Sequence, residues 1–302
     1  MKRDFLTIWD FSPQEIQRIL ERSIEFKNSK GPGACPLIGK SFGLIFEKAS
    51  TRTRVSFEAA IYQLGAHSVY MNTSEIQLGR GETVADTARV LSSYLDGIII
   101  RTYGHERIQD FASNASVPVI NALTDRHHPC QVLADMMTIL EKKGRLEGVN
   151  VAYIGDGNNV ANSLIEGASR MGMNLYLACP EGCEPDAAVL EAARQTARSE
   201  IMVLREPREA AGRADVVYTD VWVSMGQEKK AEDKMKKFSN YQINESLMAC
   251  ARKDAIVMHC LPAHRGQEIT SAVMDGPGSV IFEQAANRLY TEKALLEMLA
   301  SA

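Results

Sequence analysis

Ser50-Thr51-Arg52-Thr53-Arg54 places three hydroxyls and two guanidiniums in five consecutive residues. The apolar run Phe42–Glu47 before it reads as a strand. From about Arg52 to Leu64 the spacing predicts a helix, with Gly65 as its stop signal. The first turn of a helix presents free N–H groups and the positive end of the dipole. Ser50, Thr51 and Thr53 hydroxyls and the Arg52 guanidinium add donors, so the segment predicts a phosphate cradle. It is not a P-loop, which would need G-x-x-x-x-G-K-[ST]. A capped helix start with two solvated arginines is the plainer reading; the strand-to-helix placement favours the cradle.

His127-His128-Pro129-Cys130-Gln131 opens a second helix. Pro129 suits its first position, with His128 at the cap and Gln131 in the first turn. An imidazole and a carboxamide there can donate to a carbonyl oxygen and stabilise an oxyanion. Asp125, His127 and His128 lack zinc-ligand spacing. Taken alone, a helix cap and a solvated histidine explain this motif equally simply.

Three further motifs follow strand-like runs. Gly155-Asp156-Gly157-Asn158-Asn159-Val160 half-matches the dinucleotide fingerprint, but Val160 stands where close helix packing wants glycine. Asn158 and Asn159 offer amide donors better suited to a carboxylate. Asp220-Val221-Trp222-Val223-Ser224-Met225-Gly226 begins with a carboxylate placed to meet a cationic amine; a turn-capping aspartate is the rival. In His259-Cys260-Leu261-Pro262-Ala263-His264-Arg265-Gly266, the Leu261-Pro262 pair forces extended or turn backbone and permits a cis bond. Cys260 reads first as a buried apolar thiol.

The elements that must position these motifs alternate β and α along the chain. Strands are expected at Ser68–Met71, Ile98–Arg101 and Val117–Ile120, with helices at Ser12–Glu15 onward, Thr83–Leu95 and Glu106–Ser113. A long helix runs from about Pro129 to Lys143, ended by Gly144. A second series has strands at Val149–Gly155, Leu175–Ala178, Ile201–Leu204, Val216–Thr219, Ile256–His259 and Val280–Phe282. Helices at Asn159–Met171 and Asp186–Ala197 lie between them. Such alternation predicts α/β architecture: two doubly wound parallel-sheet domains joined by the long helix. Ligands of these folds sit beyond the carboxyl ends of the strands, so the active site is expected in an interdomain cleft. The charged stretch Gln227–Lys237 reads as a mobile, solvated loop.

Composition narrows the function classes. The chain has 302 residues, 45% hydrophobic and 24% charged, with a formal net charge of −4. That excludes disorder and coiled-coil arrays and lacks the basic field of a nucleic-acid binder. No run approaches the roughly 20 apolar residues of a membrane span. The N-terminus carries no secretory pattern, and six cysteines form no C-x-x-C pair, so a cytoplasmic protein with free thiols is expected.

Taken together, Ser50–Arg54 with Val55-Ser56-Phe57-Glu58, His128–Gln131 and His259–Gly266 resemble the aspartate/ornithine carbamoyltransferase family over essentially the whole chain. Ser224-Met225-Gly226 and Cys260-Leu261-Pro262 look like its ornithine branch. The resemblance implies a carbamoyl phosphate-binding domain at 1–140, with a C-terminal helix, 285–302, packing back on it, and an ornithine-binding domain at 141–284. It implies that Ser50, Thr51, Arg52 and Thr53 hold the phosphate and that Arg101 bridges phosphate and carbonyl. His128, Pro129, Cys130 and Gln131 would line the carbamoyl group. Carbonyls of Cys260 and Leu261 would accept from its NH2, and Arg288 would add positive charge. Gln77 would reach into a neighbouring subunit's site. Asn159, Asp220, Ser224 and Met225 would hold ornithine. Arg52, Arg101, His128, Asp220 and Cys260 are the expected catalytic group. The implied activity transfers a carbamoyl group to the δ-amine of ornithine in a cytoplasmic homotrimer serving arginine biosynthesis. No metal, cofactor, nucleic acid or membrane is implied. Rival readings are a carbamoyltransferase for putrescine or N-acetylornithine, an NAD-dependent dehydrogenase resting on Gly155–Val160, and a non-catalytic anion or amino-acid sensor.

Overall fold

A computed structural model describes residues 2–29, 35–72, 81–223 and 231–300. The chain divides into two units, Met1–Ala134 with Asn287–Ala302, and Asp135–Ala286.

In the first unit Ser12 and Glu15 form a capping box that starts α1 (Pro13–Asn28). Then come β1 (Ser41–Phe46), α2 (Thr51–Gln63), β2 (His67–Asn72), α3 (Val84–Ser92), β3 (Gly97–Arg101), α4 (His105–Asn114), β4 (Val119–Leu123) and α5 (Pro129–Lys143). The sheet order is β2-β1-β3-β4, all parallel. β1 and β3 are buried along almost their whole length, as strands covered on both faces must be. After β1 the chain goes first to one side, to β2, and later to the other, to β3. The topological switch point therefore lies between β1 and β3.

The second unit continues with β5 (Asn150–Ile154), α6 (Asn159–Met171), β6 (Asn174–Ala178), α7 (Ala187–Thr196), β7 (Ile201–Leu204), α8 (Pro207–Ala211) and β8 (Val216–Thr219). It closes with α9 (Ala231–Phe238), α10 (Glu245–Met248), β9 (Ile256–His259), α11 (Ser271–Met274) and the start of α12 (Ile281–Ala300). The order is β7-β6-β5-β8-β9, again all parallel. Its switch point lies between β5 and β8.

Two local expectations fail. Val280–Phe282 is not a strand: Gln284 N donates to Val280 O at 2.8 Å in the first turn of α12. The strand-like signal reduces to one bridge, Val257 with Ser279, and Phe282 points outward, 61% exposed. Nor is Gln227–Lys237 a solvated loop throughout, because α9 occupies its second half. Met235 packs on the core and Phe238 is fully buried, an i,i+3 apolar stripe on an otherwise charged helix. Phe238 also stacks on Trp222, with centroids 5.6 Å apart.

Candidate active site

At the first switch point the segment after β1 and the end of β3 meet residues from α5 and α12. Ser50 is the N-cap of α2, its Oγ accepting from Thr53 N at 3.3 Å. The helix start is therefore capped as the plainer reading required, and its remaining first-turn donors and the exposed Arg52 surround it. Arg101 ends β3 at a slip in register against β4, and its carbonyl accepts from Glu47 N at 2.9 Å. Its side chain is buried. Before α5, Thr124 Oγ1 accepts from His127 N at 3.1 Å, and Thr124 N donates to His127 O at 2.8 Å. That closed turn delivers His128 and Pro129 to the helix start, where His128 O accepts from Gln131 N at 3.1 Å. From α12, Arg288 donates through Nη1 to Gln131 Oε1 at 2.9 Å and through Nη2 to Thr53 Oγ1 at 3.4 Å. One guanidinium thus ties α2, α5 and α12 together.

The electrostatics follow. Burial, then the charges of Arg288, Arg101 and Arg52, hold the His128 imidazole well below its ordinary pKa. A neutral imidazole there donates a hydrogen bond from one nitrogen without adding charge. Three arginines drawn from three distant parts of the chain supply the positive field for an anion. Cys130 is buried, its Sγ donates to Asn121 O at 3.3 Å, and burial pushes its thiol pKa up. It is a packing residue in the un-ionised form rather than a thiolate nucleophile.

At the second switch point the ends of β5, β8 and β9 converge. Asn158 caps α6, its Oδ1 accepting from Val160 N at 2.9 Å and Ala161 N at 3.2 Å. Its Nδ2 donates to Asp220 Oδ2 at 2.7 Å. Asp220 Oδ1 accepts from Cys260 Sγ and from Val221 N, each at 2.8 Å. Cys260 follows β9, which pairs with β8, so adjacent strands bring the thiol to the carboxylate. The next residue, Leu261, has φ 57° and a cis bond to Pro262. Leu261 N donates to His259 Nδ1 at 2.8 Å, which places the ring proton on Nε2, 3.2 Å from Glu268 Oε1. Asp220, His259 and Cys260 offer ligand atoms within 4.8 Å of one another, yet both His259 nitrogens are already engaged. The trio is a hydrogen-bonded scaffold, not an open ligand set.

The glycine pattern after β5 serves the chain itself. A Cβ on Gly157 would lie 2.2 Å from Pro185 N and 2.3 Å from Glu184 C. Gly157 N donates to Cys183 O at 2.8 Å. The close backbone approach that a pyrophosphate would need is thus taken by residues 183–185, which removes the main support for a dinucleotide site. Beside it, Lys234 Nζ pairs with Asp156 Oδ2 at 2.6 Å, pinning α9 to the turn after β5. Burial raises the Asp156 pKa, against the pull of Lys234.

The structure brings Ser50, Thr51, Arg52, Thr53, Arg101, His128, Pro129, Cys130, Gln131 and Arg288 to the first unit's switch point, and Asp220, Cys260 and Leu261 to the second's. Asn159 is the first residue of α6, but it is Asn158 that reaches Asp220. Gln77, Ser224 and Met225 lie outside the described residues. Sequence reasoning missed the Asp220 tie of Asn158, the Lys234–Asp156 pair and Glu292, which grips Arg288. The i,i+4 spacing of Arg288 and Glu292 was a usable signal for the last.

Comparison with known proteins matches both units to one family. Residues 3–141 match the model of the aspartate/ornithine carbamoyltransferase carbamoyl-P binding domain, and residues 147–299 that of the Asp/Orn binding domain. The chain is 53% identical to the ornithine carbamoyltransferase of Syntrophus aciditrophicus over 301 residues, covering 99% of this chain and 100% of that protein. It is 52% identical to that of Methanosarcina mazei, covering 98% of each. The ornithine carbamoyltransferase structure from Pyrococcus furiosus superposes with a TM-score of 0.94 at 50% identity, covering 98% of this chain and 96% of that one. The anabolic enzyme of Campylobacter jejuni gives 0.94 at 40%, covering 99% of each. By these matches across its whole length, and by the two switch-point constellations they coincide with, the chain belongs to the aspartate/ornithine carbamoyltransferase family.

Proposed function

We propose that the chain is an ornithine carbamoyltransferase, moving the carbamoyl group of carbamoyl phosphate to the δ-amine of L-ornithine to give L-citrulline and phosphate. The observation that carries this reading is the convergence of Arg52, Arg101 and Arg288 on a neutral His128. Those cations suit a phosphate dianion, and the imidazole suits the carbonyl oxygen of its carbamoyl group. His128 and Arg101 stabilise the charge that develops on that oxygen as the amine nitrogen bonds to the carbamoyl carbon. Gln131 holds the carbamoyl group, and the carbonyls of Cys260 and Leu261 accept from its NH2. The C–O bond to phosphate then breaks, the attacking amine's surplus proton ends on the departing phosphate, and Ser50, Thr51, Arg52, Thr53 and Arg288 retain that phosphate. Rate enhancement comes from positioning and charge stabilisation.

In this reading residues 1–140 with 285–302 form the carbamoyl phosphate domain and 141–284 the ornithine domain. The Asp220 carboxyl group, which accepts from Asn158, Val221 N and Cys260, is assigned to the α-ammonium, and Asn159, Ser224 and Met225 are assigned to the rest of ornithine. A carboxylate partner suits a free α-ammonium over the uncharged amide of N-acetylornithine, and a site that holds an α-ammonium and an α-carboxylate together favours ornithine over putrescine.

The assembly is a homotrimer in which Gln77 completes a neighbouring subunit's site. Exposed Val55 and Tyr62 on α2 and the sparsely covered edge strand β2 support an interface on that side of the first unit. The setting is cytoplasmic arginine biosynthesis. Six free cysteines suit a reducing compartment, and among the described residues no helix is long and apolar enough to cross a membrane.

The test is citrulline formation from carbamoyl phosphate offered ornithine, putrescine, N-acetylornithine or aspartate in turn. Turnover with ornithine at least about a hundredfold above the others is expected, as for a site whose buried polar groups need their partners. Equal turnover with putrescine would overturn the substrate assignment, and binding without turnover would indicate a sensor.

A further inference from the structure

Glu292 lies one turn beyond Arg288 on α12 and is 1% exposed. Its Oε1 accepts from two Arg288 nitrogens, Nε at 3.0 Å and Nη2 at 2.7 Å. The same guanidinium reaches Gln131 and Thr53. We propose that Glu292 is a positioning residue of the anion half-site: it aims the Arg288 fork at α2 and α5 and sets, by its own charge, how much positive field the incoming anion meets. The inference rests on the carbamoyl phosphate reading of that half-site.

A guanidinium on a long side chain has many rotamers, and an anion site works only if the fork is held. One carboxylate oxygen gripping both Nε and Nη2 fixes the plane, leaving Nη1 and the far edge of Nη2 for Gln131 and Thr53. The grip has an electrostatic consequence. Ionised Glu292 cancels the Arg288 charge, whereas protonated Glu292 leaves it whole. Burial raises this carboxyl to about 7, while the Arg288 charge and the Ser56 hydroxyl of α2 pull the other way. On α5 the Cys130 thiol feels its charge: the thiol pKa is raised, first by burial and then by Glu292. Arg52 and Arg101 act on the neighbouring His128. The half-site therefore changes charge by one unit near neutral pH. Anion affinity falls as pH rises through about 7, and binding an anion takes up a proton.

The test uses sulfate, which does not titrate in this range, and then carbamoyl phosphate, on the full chain. Glu292→Gln keeps an oxygen for Arg288 and removes the ionisation. At pH 6 its sulfate Kd should match the parent's within about twofold; at pH 8.5 it should be about fivefold to tenfold tighter, a shift of the size expected for one nearby charge. The carbamoyl phosphate KM should move in the same direction while the ornithine KM does not. Glu292→Leu removes the grip as well as the charge, so it should bind sulfate more weakly than Glu292→Gln at both pH values and more weakly than the parent at pH 6. Parallel pH profiles for Glu292→Gln and the parent would overturn the charge role. Sulfate affinity in Glu292→Leu equal to that of Glu292→Gln at both pH values would overturn the positioning role. A parent chain that binds sulfate but forms no citrulline would refute the carbamoyl transfer reading alone, leaving both sulfate comparisons decisive. A parent that binds neither anion would overturn the half-site and this inference together.

Discussion

Asn158 Nδ2 and Asp220 Oδ2 lie 2.7 Å apart, linking the N-cap of α6 to the residue that follows β8 across the switch point of the second sheet. Asn158 does two jobs at once: its carbonyl oxygen caps α6 and its amide nitrogen orients the carboxylate. Asn158→Ser separates them. A serine caps nearly as well, so stability should change by only a few tenths of a kcal/mol. The ornithine KM should rise about tenfold for want of one hydrogen bond to a charged group. Thermal melting and initial rates check both. An unchanged ornithine KM would show that Asp220 needs no such tie.

Gly157 is a packing requirement. Gly157→Ala drives a methyl into the backbone of Glu184 and Pro185 and should cost about 1–3 kcal/mol, the usual range for overpacking. A calorimetric Tm equal to the parent's would show that the 183–185 segment yields freely.

The nucleophile sets the pH dependence. A lysine-like δ-amine has a pKa of about 10.4, so its reactive neutral fraction grows roughly tenfold per pH unit below that. His128 is held neutral by burial and by three arginines, so it contributes no step above its ordinary range. The ornithine kcat/KM should therefore climb steadily from pH 6 to pH 9. A profile that is flat across this range would mean the amine arrives already neutral.

Glu292 should also mark the stability profile. Its folded pKa, about 7, stands above the unfolded value of 4.5, so the stability it contributes is present below about 4.5 and lost as pH rises through about 7. The parent's Tm should thus fall between pH 5 and pH 8 by more than that of Glu292→Gln. Equal falls would show that Glu292 is ionised in both states.

Much of this was legible from residues alone. Ile98–Ile100 and Val216–Tyr218 are unbroken apolar runs because parallel strands are covered on both faces, so periodicity and burial agree. Motifs placed after strands mark the carboxyl ends where doubly wound folds take ligands. What failed had physical causes too. An apolar triplet at a helix start, Val280–Phe282, looks the same as a short strand. Charges on α9 hide the two side chains, Met235 and Phe238, that fix it to the core. Pairings such as Asn158 with Asp220 or Lys234 with Asp156 join residues more than 60 positions apart, and only strand order brings them together.

Two charge-altering substitutions test the division of labour between the half-sites most directly. With ornithine, carbamoyl phosphate and sulfate measured on the same preparations, Arg52→Ala should weaken carbamoyl phosphate and sulfate about tenfold to a hundredfold, the loss expected for charge-assisted contacts to one phosphate. Its ornithine KM should stay within about twofold. Asp220→Asn should do the reverse, raising the ornithine KM by a similar factor while sulfate binds as in the parent. Equal loss of both ligands in either variant would contradict the assignment of anion to the first switch point and amino acid to the second.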